Sequence, residues 1–120
     1  MSIQNLQARQ IINVLHDVGV PAHLIGYEYL KHAISLVMSN KEYQRHITTM
    51  LYPVIAEANK ATSARVERGI RHAIEVACTY SEYAPTYSKL FYTCPGKPTN
   101  AQFIATLVEE IELRNLEGLK

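Results

Sequence analysis

The sequence predicts an all-α fold, a compact bundle of about six helices containing a helix-turn-helix. Three observations carry this reading. Apolar residues recur three and four positions apart in window after window, as in Val66, Ile70, Ala73, Ile74 and Ala77. Gly19, Pro21, the pair Ser39-Asn40 and the loop Cys94-Pro95-Gly96-Lys97-Pro98 fall between those windows. No segment alternates apolar and polar residues with the period of two that a half-buried strand needs. At 120 residues the chain reads as one domain, 1–120, long enough to bury a core.

The elements follow in order. Ile3 to Val18 is a first helix, with Ile11, Val14, Leu15 and Val18 on one stripe and Gly19 placed to end it. Val20-Pro21 makes a connector. A second helix runs from about Leu24 to Met38, with Tyr27, Leu30, Ile34, Val37 and Met38 on its apolar face. Gly26 falls in its first turn, where a glycine costs less than in the interior. Residues from about Glu42 to Asn59 form a third helical region, kinked or broken near Pro53. Leu51 to Asn59 reads as a short helix that Pro53 can open.

Thr62 is a credible N-cap for the next helix, Ser63 to about Tyr80. Ser81 to Tyr92 is aromatic and interrupted by Pro85, which suggests a short helix with loops. Thr93-Cys94-Pro95-Gly96-Lys97-Pro98 is the clearest loop. Thr99-Asn100-Ala101-Gln102 matches a capping box, and the closing helix buries Phe103, Ile104, Leu107, Val108 and Ile111.

The helix from Ser63 carries the chemistry. Opposite its apolar arc it presents Arg65, Arg68, Arg71 and His72, with Glu67 at the edge. An amphipathic helix with a basic outer face is often merely solvated. Here a short helix and the tight turn Lys60-Ala61 precede it, which is the helix-turn-helix layout at about 51–79. No glycine occupies that turn. A helix so placed offers forked guanidinium donors to base edges in the major groove of duplex DNA.

Charge distribution supports an oriented partner. The net charge is +1, but Lys60 to His72 holds four basic side chains against one acidic, and Phe103 to Glu117 four acidic against one basic. The basic face should meet phosphate and the acidic end should point away. Cys78 and Cys94 are unclustered and read as reduced thiols of a cytoplasmic protein. There is no apolar run of signal-peptide or membrane-spanning length, so no membrane partner is expected.

Catalysis finds no support. His16, His23, His32, His46 and His72 show no metal-ligand spacing with the cysteines, and no phosphate-binding glycine loop or nucleophile elbow is present. Glu109 and Glu110 point about 100° apart on a helix and cannot work as a pair. The chain is expected to be no enzyme and to take no cofactor, metal or small-molecule substrate.

Four blocks of residues resemble the C-terminal DNA-binding effector domain of the master sporulation response regulator of endospore-forming bacteria, the stage-zero sporulation protein A family. They are Gly19-Val20-Pro21-Ala22-His23 with Gly26-Tyr27, and Leu51-Tyr52-Pro53 with Ile55-Ala56. The third is Arg65-Val66-Glu67-Arg68 with Ile70-Arg71-His72-Ala73-Ile74-Glu75-Val76-Ala77, and the fourth Lys97-Pro98-Thr99-Asn100 with Phe103-Ile104. The resemblance runs from about Ile11 to Glu112, and the third block is highly specific.

The resemblance implies a six-helix bundle that reads a TGTCGAA-like box in the major groove. Carried over by position, Arg65 and Arg68 would contact guanines, and Glu67 would accept from a cytosine amino group or brace an arginine. Arg71, His72 and Lys97 would hold phosphates. The stretch around Glu82, Tyr87, Lys89 and Phe91 matches the region the family turns toward the RNA polymerase sigma factor. The partners implied are double-stranded DNA, the sigma factor, and a second copy in tandem on DNA.

This chain departs from the family pattern in places. The phosphoacceptor receiver domain is not in this sequence, which is therefore an excised domain or a stand-alone relative. Gly69 replaces an alanine inside the recognition helix, an expected cost of about 0.5–1 kcal/mol. Asn59 stands where a large aromatic is usual, which should thin the core beneath the turn. The loop from Thr93 to Gly96 is shorter, and the sigma-facing segment matches poorly, so DNA reading transfers better than activation. The rival reading is an interaction module that pairs with full-length regulators or RNA polymerase, its DNA specificity altered or lost. Leu113 and Leu116, off the apolar stripe of the last helix, would serve it as a dimer contact or be ordinary exposed leucines.

Overall fold

The computed structural model describes residues 2–118. Seven α-helices are present among them: α1 (Ile3–Asp17), α2 (Ile25–Ser39), α3 (Glu42–Arg45), α4 (Tyr52–Ala58), α5 (Ser63–Thr79), α6 (Pro85–Leu90) and α7 (Asn100–Gly118). No strand occurs among the described residues. The fold is the all-α bundle that the periodicity predicts.

The third helical region divides more finely than the sequence suggested. α3 ends at His46, and a wider π-type turn, Ile47–Leu51, leads into α4. The His46 carbonyl accepts from both Met50 N–H (2.8 Å) and Leu51 N–H (3.2 Å). Pro53 supplies the physical reason: it has no N–H to give the preceding turn and its ring crowds that turn's carbonyls. Within α4 it occupies the first turn, where no donor is needed.

Buried side chains from α1, α2, α4, α5, α6 and α7 form one hydrophobic cluster. α2 and α5 cross at its centre, and two glycines let them approach. A Cβ on Gly26 would lie 2.1 Å from the main-chain oxygen of Gly69, and a Cβ on Gly69 would lie 2.9 Å from the Tyr29 ring. Gly69 is thus a packing position and not simply the helix-propensity cost expected of it. Asn59, at the end of α4, is exposed, and its amide donates to the Ile55 carbonyl at 2.8 Å.

α6 leans on α7 through aromatic rings. Phe91 stacks on Phe103 with centroids 5.3 Å apart, and Tyr87 tilts against Phe91 at 4.8 Å. The Tyr87 hydroxyl is buried without a hydrogen-bond partner, and burial first, then the neighbouring Cys78 thiol, raises its pKa above the usual tyrosine value. Arg114 ties α7 to the end of α1, reaching Glu110 at 2.7 Å and Asp17 at 3.0 Å. Cys78 and Cys94 are free thiols, both partly buried. No helix of the described residues is long and apolar enough to cross a membrane.

Candidate nucleic-acid interface

The interface is built on the end of α4 and the start of α5. α4 closes in a Schellman arrangement: Ala61 N–H donates to the Ala56 carbonyl at 2.8 Å, and Lys60 N–H to that of Glu57 at 3.4 Å. Such a close needs a left-handed residue, and Lys60 takes it with φ 52°. The turn therefore forms without a glycine. Thr62 then caps α5, its hydroxyl oxygen accepting from Arg65 N–H at 3.2 Å.

From that cap α5 runs with Val66, Ile70, Ala73, Ile74 and Ala77 buried. The opposite face exposes Arg65, Arg68, Arg71, His72 and Glu75. Arg65, Arg68 and His72 follow one another at three- and four-residue spacing, so they line a single stripe. Among the described residues neither Arg65 nor Arg68 makes an ion pair.

A second group of polar residues lies beside that stripe. A cleft of about 430 Å³ is lined by residues that include Tyr52, Glu67, Arg71, Lys97, Thr99 and Asn100. Thr99 and Gln102 cap α7 reciprocally: Thr99 N–H donates to Gln102 Oε1 at 2.9 Å, and Gln102 N–H to Thr99 Oγ1 at 3.1 Å. Lys97, three residues before α7, pairs with Glu75 of α5 at 3.0 Å. That hydrogen bond, then the lysine's charge, holds the Glu75 carboxyl below its ordinary pKa. Arg71 lies 3.5 Å from the Glu67 carboxylate one turn earlier. Tyr52 is pushed above the usual tyrosine pKa, chiefly by burial.

The structure thus brings Arg65, Arg68, Arg71, His72 and Lys97 to one side of the molecule, with Glu67 and Glu75 interleaved. Glu67 is half-buried and turned toward Arg71. The region expected to face a sigma factor is divided. Glu82 and Lys89 are exposed, but Tyr87 and Phe91 are only 6% and 7% exposed. Those two rings, one turn apart on and just beyond α6, are buried, Tyr87 against Phe91 and Phe91 against Phe103 of α7. Periodicity did not reveal this, because α6 is too short to show a stripe.

Two residues of the site escaped the sequence reading. Asn100 donates through its amide to the Tyr52 hydroxyl at 2.9 Å and to the Glu67 carbonyl at 3.1 Å. Both residues stand inside motifs, yet their separation of 48 positions hides the contact. No cluster of His, Cys, Asp and Glu that could hold a metal occurs among the described residues. A family model described as sporulation initiation factor Spo0A C terminal matches residues 11–111.

Proposed function

The chain belongs to the sporulation initiation factor Spo0A C-terminal family, whose members are DNA-binding effector domains, and from that premise we propose that it regulates transcription by reading a TGTCGAA-like box with α5 in the major groove. One observation supports this most: Arg65 and Arg68 stand exposed, and without ion pairs among the described residues, on the outer face of a capped helix whose other face is core. Three helical residues rise about 4.5 Å, close to the spacing of about 3.4 Å between neighbouring base pairs. Arg65 and Arg68 can therefore address adjacent guanines through O6 and N7.

Arg71 and Lys97 beside Arg65 and Arg68, and His72 one turn after Arg68, serve as phosphate contacts. For Arg71 and Lys97, DNA replaces an intramolecular carboxylate by a phosphate oxygen. Glu67 braces Arg71 in the free protein and accepts from a cytosine amino group when α5 is seated. Phosphate contacts fix the register and the base contacts give the sequence preference. Tandem copies on repeated boxes would place the exposed Glu82 and Lys89 where RNA polymerase can meet them. The rival reading, a module acting through protein contacts alone, draws on Leu113 and Leu116, which are 48% and 63% exposed.

The test is binding to a fluorescent duplex carrying the box, beside a scrambled duplex, at two salt concentrations. A preference of at least about tenfold, or 1.4 kcal/mol, is expected for the box. Equal and steeply salt-dependent binding to both would leave only a backbone binder. No binding to either would put the interaction module first.

A further inference from the structure

Asn100 spends both hydrogens of its side-chain amide on groups far away in sequence. Tyr52 Oη, at 2.9 Å, belongs to the first residue of α4, and the Glu67 carbonyl, at 3.1 Å, lies in α5 between Arg65 and Arg68. Asn100 itself opens α7, three residues after Lys97. One amide therefore joins both helices of the helix-turn-helix to the start of α7. A mid-helix carbonyl already accepts from the N–H four residues on, but its second lone pair is open to such a donor. Tyr52 is only 6% exposed, so its hydroxyl has little water to turn to.

Capping does not account for this residue. Thr99 and Gln102 already satisfy the start of α7 between them. Nor is Asn100 a core side chain: it is half-buried, on the rim of the cleft that holds Arg71 and Lys97. Its two hydrogen bonds tie α4 and α5 to the start of α7. Phosphate contacts set where a protein sits on the duplex, and base contacts read from there. The distance between the two sets must then be held constant.

We propose that Asn100, working with Tyr52, is a positioning residue for sequence readout that keeps the base-facing arginines of α5 in register with Lys97 through its hydrogen bonds to the Glu67 carbonyl and the Tyr52 hydroxyl. This rests on the DNA-reading function proposed above. It predicts a loss of discrimination and not of affinity in general. Asn100→Ala keeps the capping box and puts a good helix former at the first position.

The experiment compares wild type, Asn100→Ala, Tyr52→Phe and the double variant on the box and scrambled duplexes, and records backbone amide spectra of each protein without DNA. Asn100→Ala should lower the box preference by about tenfold, while scrambled-duplex affinity and its salt slope stay within about twofold. Tyr52→Phe should give a smaller loss, and the double variant should be no worse than Asn100→Ala, because both act through one amide. Amides from Arg65 to Arg71 should shift in the free Asn100→Ala protein while the rest of the spectrum holds. A parallel fall on both duplexes, an unchanged preference, or unmoved α5 amides would overturn the assignment. If wild type shows no box preference, the DNA reading fails and the α5 amides alone decide the clamp. If Asn100→Ala does not fold, Tyr52→Phe, which removes one hydroxyl, decides it by the same readings.

Discussion

Gly26 and Gly69 face each other so closely that a methyl group on the first would lie 2.1 Å from the carbonyl oxygen of the second. No side chain can turn aside to relieve that overlap, because the obstacle is main chain. Gly26→Ala should force α2 and α5 apart and cost about 3 kcal/mol or more, at the upper end of overpacking penalties. Gly69→Ala meets a ring instead, with Tyr29 at 2.9 Å. Its gain of about 1 kcal/mol in helix propensity opposes an overpacking cost of about 1–3 kcal/mol. A net loss of about 1 kcal/mol is expected. Urea denaturation of both variants checks the order, and a stabilised Gly69→Ala would show that Tyr29 repacks freely.

Lys60 holds a left-handed conformation at φ 52° to close α4, which costs a residue with a Cβ about 1–2 kcal/mol. Glycine relieves that cost but adds about 0.4–1 kcal/mol of unfolded-state entropy. Lys60→Gly should therefore stabilise the protein by about 0.5–1 kcal/mol, read as a higher thermal midpoint. The two Schellman hydrogen bonds from Lys60 and Ala61 remain in place. A lower midpoint would mean that the lysine stem packs on the turn and contributes more than its backbone loses.

Arg68 and Lys97 should separate base reading from phosphate contact. Arg68→Ala is expected to weaken the box by about 1–3 kcal/mol and to relax preference at one base pair. Lys97→Ala should weaken box and scrambled duplexes alike and reduce the salt slope by about one. Titrations of both variants on both duplexes give the answer. Equal losses for Arg68→Ala would remove it from the base-reading set, and a box-confined loss for Lys97→Ala would withdraw its phosphate role.

Much of this molecule was legible because the signals are local. The apolar arc of α5, the cap at Thr62 and the box of Thr99 with Gln102 each depend on residues three or four apart, and all stand where the sequence put them. The rest depends on what lies opposite. Gly69 looked like a cost because only its own helix was in view. Tyr87 and Phe91 looked available to a partner until α7 supplied Phe103. Tyr52, Glu67 and Asn100 carry no periodicity that joins them, and only the packing of α7 across α4 and α5 brings them together.

Tyr87 gives that lesson a measurable form. Its hydroxyl is buried and unpartnered, a desolvation cost with no hydrogen bond to offset it. Tyr87→Phe keeps the ring against Phe91 and should leave stability unchanged or raise it by up to about 1 kcal/mol. A docking residue would behave otherwise. Equilibrium unfolding is the measurement, and a loss above about 1 kcal/mol would reveal a partner for that oxygen, with the Cys78 thiol the nearest candidate.

Glu75 decides how strongly Lys97 is engaged before DNA arrives. The two are 3.0 Å apart, and the lysine holds the carboxyl below its ordinary pKa. The pair is therefore intact above the ordinary carboxylate range and is lost only as pH falls through that lowered value. With Lys97 as the proposed phosphate contact, the carboxylate would compete with phosphate at neutral pH for the same ammonium. Glu75→Gln removes the competitor and one negative charge facing the duplex. Affinity for box and scrambled duplexes should rise together by about three- to tenfold at low salt, with the salt slope steeper by about one. Folding stability should hardly change, since solvent screens an exposed pair. The gain over wild type should persist wherever Glu75 is ionised and shrink as pH falls through its lowered pKa, because the wild-type carboxyl is then neutral as well. Weaker binding by Glu75→Gln would show that the carboxylate orients Lys97 for phosphate and does not compete for it.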